Sequence, residues 1–207
     1  MKILAISPHT DDIEIWAGGT ILQHVRNGDE VRHICFSPSY ESIPDEFDKD
    51  TTCNEFIKSQ AQLGIMNHHM YTFPVRRFSE HRQDILEVMV KENKTFQPDL
   101  VITASELDIH QDHQVIGEES NRAFYRCSVI QYVSWKAVPE LNPNMIVVLS
   151  DDEWLRKKRA IQCYKSQLSK QDYYTMIEDI SKFYGKLYGY KWVEVFKIKK
   201  LILENLL

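Results

Sequence analysis

Lys2-Ile3-Leu4-Ala5-Ile6-Ser7-Pro8-His9-Thr10-Asp11-Asp12 is the stretch on which the reading of this chain turns. It begins as an apolar run of strand length and ends in a histidine and two aspartates. About a hundred residues on, the pattern returns as Leu100-Val101-Ile102 followed by Asp108-Ile109-His110-Gln111-Asp112-His113. In both places a run that reads as a buried strand gives way to groups that bind metals and move protons.

Outward from these two strands the chain alternates between strand and helix. Strands are expected at Lys2–Ser7, Val31–Phe36, His69–Phe73, Leu100–Thr103, Ser128–Trp135, Met145–Leu149 and Val193–Ile198. Helices are expected at Ile15–Asn27, Glu55–Leu63, Ser79–Lys94, Gln114–Tyr125, Asp151–Leu168 and Tyr173–Tyr188, and the tail Lys199–Leu207 has no assignment. Alternation of this kind predicts one α/β domain over residues 1–207, with a mostly parallel sheet covered on both faces. Ligands of such sheets bind beyond the carboxyl ends of the strands, where both histidine clusters fall.

The 207 residues are 43% hydrophobic and 27% charged, which suits a soluble globular domain. A net charge of −5 gives no electrostatic case for nucleic acid as partner. No window approaches the roughly 18 apolar residues of a membrane span. The N-terminal apolar stretch is too short for a signal peptide. The four scattered cysteines read as reduced thiols, so a cytoplasmic protein is expected.

His9, Asp12 and His113 are the expected metal ligands. Two imidazoles and a carboxylate suit zinc best, with iron(II) as the alternative. Taken alone, His9-x-x-Asp12 reads equally well as a helix-cap cluster, and it is the second cluster that weighs against this. Asp11, beside a ligand but not needed as one, is the expected general base; its bland alternative is a helix N-cap. His110 is expected to stabilise an oxyanion or protonate a leaving amine. Asp112 is expected to bond a ring nitrogen of His110 and raise its pKa, or to cap the following helix. Asp108 reads as a substrate contact or a loop acid. Arg76 and Arg77 suit a substrate anion, against the alternative of a solvated loop. Gly18-Gly19 inside a helix suggests close packing or a ligand near the backbone, and its spacing supports dinucleotide binding only weakly. His24, His33, His68, His69 and His81 read as surface or core histidines.

These residues resemble the PIG-L/LmbE-like zinc N-deacetylases of N-acetylglucosaminyl substrates. The family's His-Pro-Asp-Asp and Gly-Gly-Thr stand here as His9-Thr10-Asp11-Asp12 and Gly18-Gly19-Thr20, and its His-x-Asp-His as His110-Gln111-Asp112-His113. Gln97-Pro98-Asp99-Leu100-Val101 is similar to the strand leading into the second motif. Lys158 with Tyr164-Lys165-Ser166-Gln167 is similar to a late Lys…Ser-Gln signature, and Glu194-Val195-Phe196 to a closing Ala-Glu-x-Phe. The resemblance implies a Rossmann-like three-layer α/β/α fold, zinc on His9, Asp12 and His113, and Asp11 as base. It also implies removal of acetyl from a 2-acetamido sugar borne on a nucleotide, lipid or small aglycone. The rival expectations are an amidase of non-acetyl sugar conjugates and a zinc-bearing binding protein without turnover. Oligomeric state is left open, a homo-oligomer included.

Overall fold

The computed structural model describes residues 1–134 and 142–202. One seven-stranded sheet runs in the order β3-β2-β1-β4-β5-β7-β6. Its strands are β1 (Lys2–Ser7), β2 (Glu30–Cys35), β3 (Asn67–Met70), β4 (Leu100–Thr103), β5 (Ser128–Tyr132), β6 (Met145–Leu149) and β7 (Trp192–Lys200). The first five are mutually parallel, and β7 lies antiparallel between β5 and β6. The helices are α1 (Asp12–Arg26), α2 (Thr51–Leu63), α3 (Arg82–Phe96), α4 (Gln111–Ala123), α5 (Asp151–Ile161), α6 (Lys165–Leu168) and α7 (Tyr173–Tyr188).

The topology fixes where the two clusters meet. From β1 the chain winds one way, to β2 and β3, then returns to place β4 and β5 on the other side of β1. The crevice where the order reverses lies between the carboxyl ends of β1 and β4, which pair in register through Ala5 and Ile102. β1 is apolar throughout because both faces are covered: Ile3, Leu4, Ala5 and Ile6 are wholly buried.

Two close approaches set the helices. A side chain at Gly19 would place its Cβ 2.3 Å from Leu149 of β6, so α1 lies against the sheet only because that side chain is missing. A Cβ added at Gly117 of α4 would stand 2.3–3.0 Å from backbone atoms of Ser105 and Glu106, so the bare glycine lets the turn leading to Asp108 seat against the helix.

Several boundaries differ from the expected ones. α1 starts at Asp12 and α4 at Gln111, about one turn before the apolar periodicity, so Asp12, Asp112 and His113 lie in first turns. The helix expected over Asp151–Leu168 is two. Tyr164 leaves helical geometry (φ −87°, ψ 62°) and its buried ring turns inward between α5 and α6. β5 ends at Tyr132, and Trp135 lies outside the described residues. β7 runs on to Lys200, which places the first part of the unassigned tail. Among the described residues no helix is long and apolar enough to cross a membrane, and all four cysteines are free.

Candidate metal centre

The loop after β1 is shaped by Asp12, whose Oδ2 accepts the His9 amide at 2.9 Å. The same carboxylate faces two imidazoles: Oδ2 lies 3.4 Å from His9 Nδ1, and Oδ1 lies 3.3 Å from His113 Nε2. One ligand atom from each of His9, Asp12 and His113 falls within 4.8 Å of the others. A second grouping, His9, His110 and Asp112, meets the same distance test. Asp112 is however already spoken for: Oδ2 accepts the Arg76 amide at 2.6 Å, and Oδ1 faces the Phe78 amide at 3.3 Å.

Each of the two histidines is backed by a carboxylate on its far nitrogen. His9 Nε2 lies 3.0 Å from Asp112 Oδ2, and His113 Nδ1 lies 2.9 Å from Asp108 Oδ2. Such partners fix the tautomer and aim the other nitrogen, here toward Asp12. Asp108 also takes the Ser134 hydroxyl, and its Oδ1 takes the His110 amide at 2.8 Å.

This corrects two expectations. The Asp112 carboxylate does not bond the His110 ring but holds His9, and it is the Asp112 amide that donates to His110 Nδ1, at 3.2 Å. Accordingly His110 is not raised but pushed down to about 4, by burial and then by the neighbouring His9 and His113. Asp108, at 2% exposure, lies behind His113 rather than facing a substrate.

Electrostatics separate the remaining groups. Burial opposes charge on Asp12, but the two imidazoles outweigh it and hold Asp12 well below the usual carboxylate range. Burial likewise pulls His113 down, yet Asp12 and Asp108 lift it to about 10. Asp11 is pushed up to about 6, by burial and then by the charge of Asp12. It occupies the N-cap position of α1 without making a side-chain cap bond, so its carboxylate is left to the cleft.

The cleft holds about 150 Å³ and is lined by His9, Asp11, Asp12, His110 and His113, with Thr10, Ile15, Trp16, Val75 and Ser134 around them. Ser39, Ser42, Gln167 and Tyr173 complete its wall. Sequence reasoning gave Ser39, Ser42 and Gln167 no site role, and read Tyr173 as one of several aromatics that are mostly core or interface, some of them able to stack on a sugar ring. Gln167 carried a signal in the late Ser-Gln motif; the two serines sit in a polar loop with no periodicity to mark them. Neither Arg76 nor Arg77 lines the cleft. The Arg77 guanidinium is paired with Glu80 at 2.6–3.1 Å on the surface. Arg76, at φ 68°, gives its amide to Asp112.

The late lysine is also shifted by one. Lys158 faces Glu178 at 3.4 Å near the surface, whereas Lys157 is buried and 2.6 Å from Glu194. Glu194 takes the Gly19 and Thr20 amides as well, tying the glycine pair, the late lysine and the closing Glu-x-Phe into one buried knot. His33 is a satisfied core histidine between Ser7 and Gln60.

Fold and site together define an α/β protein with a two-histidine, one-carboxylate centre at a switch point. The donor set fits a divalent cation. Asp11, Asp12, Asp108 and Asp112 gather around the imidazoles, and among the described residues no Lys or Arg side chain bonds any of them. Residues 4–124 match the family model described as PIG-L, GlcNAc-PI de-N-acetylase, and the chain belongs to that family. Among solved structures it is similar to N,N'-diacetylchitobiose deacetylase from Pyrococcus horikoshii, at 26% identity and TM-score 0.76 over 95% of this chain and 83% of that one. Two others share the fold. The zinc-inhibited form of teicoplanin deacetylase Orf2 is 15% identical, with TM-score 0.77 over 95% and 97% of the two chains. GalB, the 4-carboxy-2-hydroxymuconate hydratase of Pseudomonas putida KT2440, is 20% identical, with TM-score 0.78 over 100% and 99%.

Proposed function

We propose that this protein is a metal-dependent hydrolase that removes the acetyl group from a 2-acetamido sugar. The observation carrying this reading is the convergence of His9, Asp12 and His113 on one point, beside an Asp11 carboxylate that makes no helix-capping bond and lines the same cleft. His9 Nδ1, an Asp12 oxygen and His113 Nε2 would hold the cation, and zinc suits this donor set. When bound, it supplies a Lewis acid that polarises the acyl oxygen and acidifies water.

The chain's own groups do the rest. Asp11 accepts the proton of the attacking water as oxygen adds to the acetyl carbon. His110 Nδ1 accepts the Asp112 amide, so its hydrogen is on Nε2. With a pKa near 4 it is neutral, a hydrogen-bond donor to the acyl oxygen rather than an acid. The proton for the departing amine therefore comes from Asp11, and the C–N bond breaks to give acetate and a free amine. Trp16, Val75 and Tyr173 offer apolar surface to the acetyl group and sugar ring, and Ser39, Ser42 and Gln167 offer partners to hydroxyls. Arg76, exposed and next in sequence to Val75 of the cleft wall, is the arginine left to meet a substrate anion. Four free thiols suit a reducing compartment such as the cytoplasm.

The test is metal content and acetate release measured together on a panel of N-acetylglucosamine conjugates. About one metal per chain and chelator-sensitive acetate release support the reading. Metal without acetate release from any conjugate refutes it and turns attention to other water chemistry on this fold.

A further inference from the structure

We propose that Tyr164 is a positioning residue for the general base: its hydroxyl donates to the Thr10 carbonyl and so fixes the peptide that carries Asp11. The kinetic half of this inference rests on the deacetylase reading above.

Asp11 has no side-chain capping bond to steady it. Its orientation is set by its backbone, which sits at φ −107°, ψ −8°. The peptide after Asp11 is pinned within α1, because its carbonyl accepts the Ile15 amide at 3.0 Å. The peptide before it is pinned from across the molecule, by Tyr164, 154 residues away in sequence.

Tyr164 is built for that reach. The chain breaks helix between α5 and α6 at this residue, and the ring is 1% exposed. Its oxygen also lies 2.8 Å from Glu14 Oε1, but that oxygen already accepts from Ser59 Oγ at 2.8 Å and Gln60 Nε2 at 2.6 Å, which leaves the single phenolic hydrogen for the Thr10 carbonyl. The phenol thus holds the loop ahead of α1 from beside the first turn of α1. Beyond it, Ser166 is held by Glu55 at 2.6 and 2.9 Å, and Gln167 reaches the cleft wall. Removing the phenolic oxygen leaves the Thr10 carbonyl buried without this partner, since Thr10 is 2% exposed. The peptide then rotates to find another, carrying Asp11 with it. A displacement near 1 Å at a reacting group costs on the order of 100-fold in rate.

The experiment is Tyr164→Phe in the metal-loaded full chain, with kcat, KM and metal stoichiometry measured on an N-acetylglucosamine conjugate that the wild type turns over. The expected result is kcat lower by about 10-fold or more, with KM and metal content unchanged within about twofold. A purely structural phenol would lower the melting temperature and leave kcat near wild type, and that outcome overturns the proposal. A second measurement needs neither activity nor the variant. In the metal-free wild type, the Tyr164 hydroxyl proton should give a slowly exchanging proton resonance with a cross-peak to the Asp11 amide. Rapid exchange of that proton overturns the clamp whether or not the protein is a deacetylase. An inactive wild type with the protected proton present would refute the deacetylase reading alone.

Discussion

Asp108→Asn alters one atom behind His113 and should weaken metal binding without unfolding the protein. In the wild type, Asp108 Oδ2 accepts from His113 Nδ1 at 2.9 Å, which makes Nε2, turned toward Asp12, the nitrogen that gives up its hydrogen to a cation. Oδ1 accepts the His110 amide at 2.8 Å. An asparagine must choose. If its oxygen keeps the His110 amide, its NH2 faces His113 Nδ1, favours the tautomer with hydrogen on Nε2, and blocks the ligand atom. If it flips, two donors meet at the His110 amide. Either way a carboxylate partner of a metal-binding histidine is lost, which costs about 10- to 100-fold in affinity, or about 1.4 to 2.8 kcal/mol. Competition against a chromophoric chelator measures this directly. The melting temperature of the metal-free protein serves as control. An Asp108→Asn protein that binds zinc as tightly as wild type would refute the assignment of Asp108 to the back of His113, and with it the choice of Nε2 as ligand.

Asp11→Asn should lower kcat by about 100- to 10,000-fold while metal stoichiometry stays at the wild-type value, and retained turnover would remove Asp11 as the base. His33 is depressed to about 4 by burial, so it is neutral in the folded protein and protonates on unfolding. Its contribution to stability is complete above pH 6.5 and is lost as pH falls toward 4, with about 2 kcal/mol gone by pH 5. Urea unfolding of the metal-free wild type and His33→Asn should therefore converge as pH drops, and parallel pH profiles would contradict this. Gly117→Ala drives a Cβ to 2.3 Å from the Glu106 amide nitrogen, a backbone atom that cannot rotate aside. It should cost about 1–3 kcal/mol and weaken metal binding through the Asp108 turn; an unchanged melting temperature would show that the turn yields freely.

The layout of this site was legible in the sequence because the decisive information is local. Strand β1 is a continuous apolar run, and the histidine and aspartates follow it within the same loop, so strand and ligands are read together. The same holds for β4 and the second cluster. What brings the two together is the order β2-β1-β4, and strand–helix alternation in a mostly parallel sheet already restricts that order.

The partners behind the histidines were not legible, and the reason is geometric. Asp108, Asp112 and Asp11 are all acids next to histidines, and spacing alone does not say which face of a turn each carboxylate takes. The structure separates them by what already fills each carboxylate. Asp112 is filled by the Arg76 amide and His9, Asp108 by His113, Ser134 and the His110 amide, whereas Asp11 makes no capping bond. Three of these donors lie on other elements and one of them, Arg76, owes its position to a left-handed backbone that its residue type does not announce. The break before α6 was hidden for a similar reason: Asp151–Leu168 is periodic enough for one helix, and the acceptor that the buried Tyr164 meets, the Thr10 carbonyl, comes from a loop at the other end of the chain. Residues whose role is set by a distant backbone carbonyl or amide have no sequence pattern of their own, which is why the candidate ligands His9, Asp12 and His113 stand out in the sequence while the groups that orient them do not.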